Sequence, residues 1–265
     1  MLGHLISGSG PQRIIVLNDW LCDTSTWDAA RPYLDLARFT WAFADLRGYG
    51  RSRGQRGDYT VEEASADVLE LADALGWPRF AIVGHSMSSL IALHLAQHAG
   101  DRVERAVLIA PPPPKGMGAD DATLEFLRAS ANEGEASRAA TLHKLGGGRL
   151  SRTWAAFKAA RWVATSDPEA VAAYAELFAR HGLPDPYARV NLPLLAVTGE
   201  QDAPVMRRAS AVALLSPLAD DFTALSIADS GHYPMQEAPP LLVAIVERFL
   251  SDHQLARARA AAKPT

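Results

Sequence analysis

The chain has 265 residues, of which 48% are hydrophobic and 21% charged, with 19 Gly, 17 Pro and one Cys. These proportions are close to the globular average and exclude a disordered, collagen-like or disulfide-stapled chain. The formal net charge of −4 gives no overall attraction to nucleic acid or to an anionic membrane. The composition therefore favours a small-molecule partner, with neither nucleic acid nor membrane as a binding surface.

Cys22 is the only cysteine, so no intramolecular disulfide can form and nothing requires an oxidising compartment. No apolar run approaches the roughly 20 residues of a membrane span. The opening residues, MLGHLISGSG, lack the basic start and the apolar stretch of a secretory signal. On these grounds we expect a cytoplasmic protein.

Short apolar runs alternate along the chain with longer amphipathic stretches, which is the pattern of parallel strands joined by crossover helices. Residues 4–7 leave room for one strand, and six apolar runs predict further strands at 14–17, 40–44, 80–83, 106–109, 194–197 and 222–227. Between them, residues 61–75 place apolar side chains on one face and predict a helix. The expected fold class is α/β, a doubly wound, mostly parallel sheet of about seven strands flanked by helices.

The alternation breaks between residues 115 and 190, where Ala-rich helical segments are separated by three glycines at 146–148 and by a Ser-Asp-Pro turn at 166–168. An insertion of this length is too long for a simple connection between strands. We interpret it as a helical cap over the strand ends, so that residues 1–114 and 191–265 form the core and 115–190 the cap. The alternative is a set of ordinary crossover helices.

The segment FAIVGHSMSSL at 80–90 carries the strongest functional signal. An apolar strand runs into Gly84, and Ser86 follows two positions later at the start of a helix. This order places Ser86 on a sharp turn with its hydroxyl exposed at the edge of the sheet. Small residues at Gly84 and Ser88 let strand and helix approach each other. The alternative is a serine in an ordinary strand-to-helix turn.

A serine hydroxyl is a weak nucleophile unless a histidine takes its proton and a carboxylate orients that histidine. Asp202 follows the strand predicted at 194–197, and His232 follows the strand predicted at 222–227. Nucleophile, acid and base therefore occur in a plausible order on three strand-end loops. Glu200 and Asp229 are alternatives for the acid.

With these residues the chain resembles the α/β-hydrolase fold superfamily over nearly its whole length. Four segments carry the resemblance: DLRGYGRS at 45–52, GHSMS at 84–88, GEQD at 199–202 and GHYP at 231–234. It implies that Ser86 is the nucleophile, Asp202 the orienting acid and His232 the general base. It also implies a helical cap inserted after the sixth strand of the family. The most similar members are small capped esterases, lactonases, epoxide hydrolase-like enzymes and perhydrolases that need no cofactor.

The resemblance also implies an oxyanion hole made by the backbone N–H groups of Met87 and Trp20. The family usually has His-Gly just before the second amide, whereas this chain has Asn18 and Asp19. Asn and Asp tolerate left-handed backbone angles, so we expect the shape of the loop to be retained. A carboxylate at Asp19 that faced the pocket would disfavour anionic substrates, or would bind water or a substrate hydroxyl.

Candidates for the substrate pocket are Asn18, Asp19 and two tryptophans of the insertion, Trp154 and Trp162. For the aromatic residues the alternative is simple packing. His85 is expected to point away from the nucleophile and to pack in the core. The remaining histidines show no metal-ligand spacing with acids or with the cysteine, so we expect neither a metal nor a cofactor.

Together these residues favour a serine hydrolase that cleaves a small, largely apolar carboxylic ester or lactone through an acyl-enzyme. Dehalogenase and epoxide hydrolase relatives have Asp at the elbow, so Ser86 argues against their alkyl-enzyme chemistry. Two alternatives use the same fold: a C–C bond hydrolase, and a perhydrolase or dioxygenase that needs no cofactor. A third alternative, from another class, is a receptor that binds its ligand without turnover.

Overall fold

The computed structural model describes residues 1–261. Its seven strands are β1 (His4–Ser7), β2 (Gln12–Leu17), β3 (Phe39–Ala44), β4 (Phe80–His85), β5 (Val103–Ile109), β6 (Leu194–Gly199) and β7 (Phe222–Ile227). They form one sheet in the order β1-β3-β2-β4-β5-β6-β7. Strand β1 is antiparallel to β3, and all other neighbours are parallel. The predicted α/β class with a mostly parallel, seven-stranded sheet is confirmed.

The helices are α1 (Val61–Ala74), α2 (Ser88–His98), α3 (Asp121–Asn132), α4 (Gly134–Leu145), α5 (Arg152–Thr165), α6 (Pro168–Glu176), α7 (Arg208–Leu215), α8 (Pro234–Glu237) and α9 (Pro239–Ala261). Helix α2 packs on β4 and β5, and α7 packs on β6 and β7. Within residues 1–261, no helix is both long and apolar enough to cross a membrane.

The central strands are apolar on both faces because helices cover both faces of a parallel sheet. Every residue of β3, β4 and β6 is buried, whereas the edge strand β7 has exposed residues. Helix α1 begins where the sequence predicts, since the Thr60 hydroxyl accepts the backbone N–H of Glu63. Glu63 in turn accepts the N–H of Tyr59, which satisfies two donors at the helix start.

The segment between β5 and β6, residues 110–193, contains α3 to α6 and a π-helical turn, Leu177–His181, and contributes no strand to the sheet. Helix α3 packs on α4 and α6, and α4 packs on α5. The division into a core and a cap stays a prediction. Residues 262–265, the last four of the predicted core, lie outside the described residues.

Candidate active site

Ser86 lies on a tight turn between β4 and α2. Its backbone φ is 53°, a left-handed angle that costs free energy for a residue with a side chain. The Ser86 N–H donates to the carbonyl oxygen of Ile109 at the end of β5 (2.8 Å). A Cβ added to Gly84 would lie 2.4 Å from the carbonyl oxygen of Ser88, so only glycine allows β4 and α2 to pass this closely. The turn thus presents the Ser86 hydroxyl at the edge of the sheet.

Three loops, which follow β4, β6 and β7, bring Ser86, Asp202 and His232 together. His232 Nε2 is 2.9 Å from Ser86 Oγ, and His232 Nδ1 is 2.9 Å from Asp202 Oδ2. The other oxygen of Asp202 accepts the N–H of Ala203 (2.7 Å). All three side chains are buried, whereas the rival acids Glu200 and Asp229 are exposed. The arrangement can transfer a proton from the serine hydroxyl to a histidine that a carboxylate orients.

Two opposed influences set the pKa of each partner in the Asp202–His232 pair. Burial alone would lower the pKa of His232, but the charge and hydrogen bond of Asp202 outweigh it and raise this pKa above its ordinary value. Burial alone would raise the pKa of Asp202, but His232 outweighs it and lowers this pKa. Asp202 is therefore an ionised acceptor beside a histidine of increased basicity.

The loop that carries His232 is fixed by two groups whose role the sequence did not predict. The Glu237 carboxylate accepts the backbone N–H of Gly231 (2.8 Å) and that of Tyr233 (2.9 Å), on either side of His232. His85 Nε2 lies 2.7 Å from the carbonyl oxygen of His232. His85 does pack in the core, as expected, but it packs on the loop that carries His232. In the sequence, the only sign of this contact is the position of His85 directly before Ser86.

The loop after β2 is shaped by the side chains of Asn18 and Asp19. Asn18 Nδ2 donates to the carbonyl oxygens of Asp19 (2.8 Å) and Cys22 (2.7 Å), and Asn18 Oδ1 accepts the N–H of Leu46 (2.8 Å). Asp19 Oδ1 accepts the N–H of Leu21 (2.7 Å). Neither Asn18 nor Asp19 has a positive φ. Side-chain hydrogen bonds, rather than a left-handed residue, therefore hold this loop.

The two residues predicted to form the oxyanion hole are both found at the site. Met87 follows Ser86 as the N-cap residue of α2, and Trp20 lines the same cavity as Ser86. The carbonyl of Trp20 accepts the hydroxyl of Tyr49, and its indole N–H donates to the carbonyl oxygen of Val171 (2.7 Å). Within the described part of the chain, the backbone N–H groups of Trp20 and Met87 have no acceptor. Both donors are therefore available to a bound group.

A cavity of about 690 Å³ opens on Ser86, Asp202 and His232. Most of its wall comes from the segment 115–190, which contributes the loop before α3, parts of α3 and α4, and the turn 177–181. The apolar wall includes Met117, Phe126, Leu127, Leu145 and Phe178, and the polar wall includes Thr123, Lys144, Gln201 and Arg207. The cavity is thus largely apolar, with a few polar groups that can orient a small molecule.

None of the four residues predicted for the substrate pocket, all of which the structure describes, lines this cavity. Asn18 and Asp19 are used in the loop after β2. Trp154 Nε1 donates to Gln236 (3.0 Å), and the fully buried Trp162 donates to Ser25 (3.0 Å). Both tryptophans lie on α5 and join it to the core. The residues of the insertion that face Ser86 belong to other helices.

Asp19, His85 and His232 are the residues with a spacing nearest to that of metal ligands. One potential ligand atom from each lies within 4.8 Å of the others. Both nitrogens of His232 are already engaged by Asp202 and Ser86, and His85 Nε2 is engaged by a carbonyl oxygen. Two open atoms remain, fewer than the three or four protein ligands of typical zinc sites. We assign no metal to this group.

The comparisons with known proteins agree on one family. The sequence model of the family described as alpha/beta hydrolase fold matches residues 21–238. A pimeloyl-[acyl-carrier protein] methyl ester esterase of Klebsiella pneumoniae is 33% identical over 106 residues, which are 40% of this chain and 39% of that protein. Its counterpart in Nitrosospira multiformis is 24% identical over 256 residues, 91% of this chain and 95% of that one.

A 2-heptyl-3-hydroxy-4(1H)-quinolone dioxygenase of Mycobacteroides abscessus is 33% identical over 95 residues, which are 36% of this chain and 35% of that protein. The chain spans between 30% and 39% of the length of the first curated relatives that it matches.

Solved structures share the fold over almost the whole chain. A thermophilic esterase from Thermogutta terrifontis superimposes with a TM-score of 0.79 at 22% identity, covering 95% of this chain and 93% of that one. An enol-lactonase from Burkholderia xenovorans LB400 gives a TM-score of 0.77 at 23% identity, covering 94% and 96%. At this level of identity the likeness concerns the fold alone.

Proposed function

This chain belongs to the alpha/beta hydrolase fold family, and we propose that it is a serine hydrolase that cleaves a small, largely apolar carboxylic ester or lactone. The observation that carries the proposal is the pair of 2.9 Å contacts that join Ser86 to His232 and His232 to Asp202. A nucleophile, a base and an orienting acid in this order are what acyl transfer requires.

In the proposed reaction Asp202 accepts the Nδ1–H of His232, which leaves the lone pair of Nε2 directed at Ser86. His232 takes the hydroxyl proton while Ser86 Oγ attacks the substrate carbonyl carbon. The N–H groups of Trp20 and Met87 bind the resulting oxyanion, and each such donor is worth roughly 3 to 4 kcal/mol. His232 then protonates the leaving alcohol, and it later activates water to release the acid from the acyl-enzyme.

The wall of the cavity supports a modest, mostly apolar substrate, because its aromatic and aliphatic side chains surround the serine. We also propose that residues 115–190 act as a cap, since α3 and α4 supply much of that wall. A small-molecule partner and a cytoplasmic location are proposed on the composition alone.

Substitution of the nucleophile tests the proposal. Ser86→Ala is expected to reduce turnover of p-nitrophenyl esters and of lactones by at least about 10³-fold, because no other group can form the acyl-enzyme. It is also expected to abolish labelling by a fluorophosphonate probe. Ser210→Ala, on α7 and outside the cavity wall, is the control and should keep both. An unchanged rate in Ser86→Ala on every substrate would overturn the proposal.

A second candidate is a dioxygenase that needs no cofactor, favoured by the relative in M. abscessus that bears that activity in its name. In that reaction, His232 of this chain would remove a proton from a hydroxylated heterocycle, and Ser86 would not be acylated. Oxygen consumption with 3-hydroxy-4-quinolones, measured beside ester hydrolysis, separates the two candidates. C–C bond cleavage is examined in the same panel with β-diketones. Tight binding of a panel member without any turnover would instead indicate a receptor.

A further inference from the structure

Two cationic side chains, Lys144 and Arg207, lie in the wall of the cavity that opens on Ser86, and the proposed reaction uses neither. Lys144 is in the last turn of α4, and Arg207 directly precedes α7. Among the described residues, no carboxylate forms an ion pair with either side chain. The described part of the chain thus gives these two positive charges no counter-ion.

Arg207 is held in place by one edge of its guanidinium. Nε donates to the carbonyl oxygen of Asp202 at 2.6 Å, whereas Nη1 and Nη2 have no acceptor among the described residues. A guanidinium is planar, and a pair of its N–H groups matches the two oxygens of a carboxylate or a phosphate. The edge formed by Nη1 and Nη2 is therefore a fixed donor pair beside the acid of the triad.

Lys144 is held against the cavity wall from the opposite side. Its Nζ lies 4.3 Å from the centroid of the Phe126 ring, which is itself part of the wall, and an ammonium group is attracted to the face of such a ring. The end of α4 reaches the loop after β6, since a Cβ added to Gly147 would lie 3.7 Å from the carbonyl oxygen of Gln201. Lys144 and Arg207 are both exposed, so we place them at the mouth of the cavity.

The acidic side chains of the cavity do not cancel these charges. Asp202 is engaged by His232 at 2.9 Å. Asp120 accepts the N–H of Thr123 at 2.8 Å as the N-cap of α3, and the hydrogen bonds from Thr123 lower the pKa of Asp120. The partial positive charge at the start of α3 offsets this carboxylate. Asp19, the other acid near the serine, does not line the cavity.

We propose that the substrate carries one anionic group away from its scissile carbonyl, and that Arg207 and Lys144 bind this group at the mouth of the cavity. The inference rests on the proposed function and narrows its substrate class to half-esters of dicarboxylic acids, or lactones with an acidic side chain. The apolar wall holds the hydrocarbon part of such a molecule. A carboxylate and a phosphate share the chemistry that Arg207 recognises.

Kinetics with matched substrates test for the anionic group. The monomethyl ester of a straight-chain dicarboxylic acid is compared with its ester amide, in which a neutral carboxamide of equal size replaces the carboxylate, over a series of chain lengths. At low salt we expect kcat/KM to be about tenfold or more higher for the acid, chiefly through KM. The ratio should approach one in about 1 M NaCl, where the screening length is about 3 Å.

A ratio of one or less at low salt for every chain length would overturn the inference. The matching phosphonates distinguish the two sources of the anion. The larger preference, for carboxylate or for phosphonate, identifies the group that the site binds.

Substitution of each cation tests the assignment to residues. Arg207→Gln and Lys144→Gln should each lower the ratio of acid to amide by about threefold or more. The ratio is the readout because any disturbance of Asp202 slows both substrates alike. Arg208→Gln is the matched control, since Arg208 Nε also donates to a main-chain carbonyl oxygen, that of Ala224 (3.0 Å), but Arg208 does not line the cavity. An unchanged ratio in both cavity variants would contradict the assignment.

Binding to a protein without its nucleophile separates this inference from the proposed function. In Ser86→Ala, calorimetry should show tighter binding of the half-ester than of its amide, and Arg207→Gln in the same background should remove the difference. Equal binding of the two molecules, with turnover of neutral esters by wild type, would overturn the inference and leave the proposed function in place. Preferential binding of the acid without turnover by wild type would retain the anion site and reject the hydrolase.

Discussion

His232 is buried, and its basicity depends on neighbouring carboxylates, above all on Asp202. Asp202 raises the pKa of His232 above the ordinary value of 6.5, although burial acts in the opposite direction. The neutral form of His232 is the one that can accept the Ser86 proton. The Asp202 carboxylate therefore fixes both the orientation of the base and the pH at which the base becomes available.

At this scale the prediction concerns pH. In wild type, kcat/KM for an ester should fall as the pH drops through the pKa of His232, with a midpoint above 6.5. In Asp202→Asn the largest raising influence is lost while burial remains, so the midpoint should move to lower pH, and kcat should fall by about 10⁴-fold. Glu200→Gln, at an exposed acid on the same loop, is the control. A midpoint that stays in place in Asp202→Asn would contradict the assignment.

Some residues of the site could be predicted from the sequence, and others could not. Ser86, Asp202 and His232 could be assigned because strand-end loops of one parallel sheet meet at one edge, so chain order is sufficient. The contacts of Asn18 and His85 could not be assigned, since each side chain makes a hydrogen bond to a main-chain atom of a distant loop. The sequence around such a residue does not reveal a main-chain partner in a distant loop.

Among the elements, the β4–α2 turn is held by close backbone contact. Gly84→Ala would place a Cβ 2.4 Å from the Ser88 carbonyl oxygen, and backbone cannot yield as a side chain can. We expect a loss of about 1 to 3 kcal/mol in the free energy of unfolding, measured by urea denaturation, together with lower kcat. Gly54→Ala meets no atom within 4 Å and is the matched control. Equal stability of the two variants would show that the turn tolerates the methyl group.

Helix α8 acts on the preceding loop through Glu237. Glu237→Ala leaves the N–H groups of Gly231 and Tyr233 without their acceptor, which costs about 1 to 3 kcal/mol for each buried donor. Because His232 lies between them, kcat should fall by about tenfold or more. Glu247→Ala removes a similar acceptor from Asp35 and should lower stability with kcat retained. Steady-state kinetics with thermal unfolding separates the two effects, and an unaffected kcat in Glu237→Ala would refute the role.

Elements could be predicted more completely than side-chain contacts. The strand predicted at 222–227 is observed as Phe222–Ile227, and the ends of the other five apolar runs move by at most three residues, as for 106–109, which becomes Val103–Ile109. Because the strands are buried, each of them appears in the sequence as a run of apolar residues. The tryptophans of α5 gave no such signal, because helical aromatics that face a cavity and those that face a core have the same spacing.

Across the whole molecule, the insertion is joined to loops at the edge of the sheet by hydrogen bonds from α5 and from the residue that precedes α6. The Trp162 indole donates to Ser25 (3.0 Å), and the backbone N–H of Asp167 donates to the carbonyl oxygen of Gly48 (2.7 Å). Helices α3 and α4 instead contribute to the wall of the cavity. One side of the insertion is thus used for attachment and the other for the site.

A double-mutant cycle measures this attachment. Trp162→Phe and Ser25→Ala each break the indole–hydroxyl hydrogen bond, and we expect each to lower the free energy of unfolding by about 1 kcal/mol or more. Ser25→Ala should cost the more, because it leaves a buried indole N–H without an acceptor. The double variant should be more stable than the sum of the two losses predicts. Strict additivity in chemical denaturation would mean that the contact contributes nothing to stability.

The wide separation of Ser86, Asp202 and His232 along the chain has a consequence for biosynthesis. His232 follows Ser86 by 146 residues and Asp202 by 30. A chain synthesised from its N-terminus carries a formed serine turn long before the histidine has been translated, and contacts of such high sequence separation form slowly. Under the proposed function, the growing chain therefore gains activity only after residues 222–232 have been translated and β7 has joined the sheet.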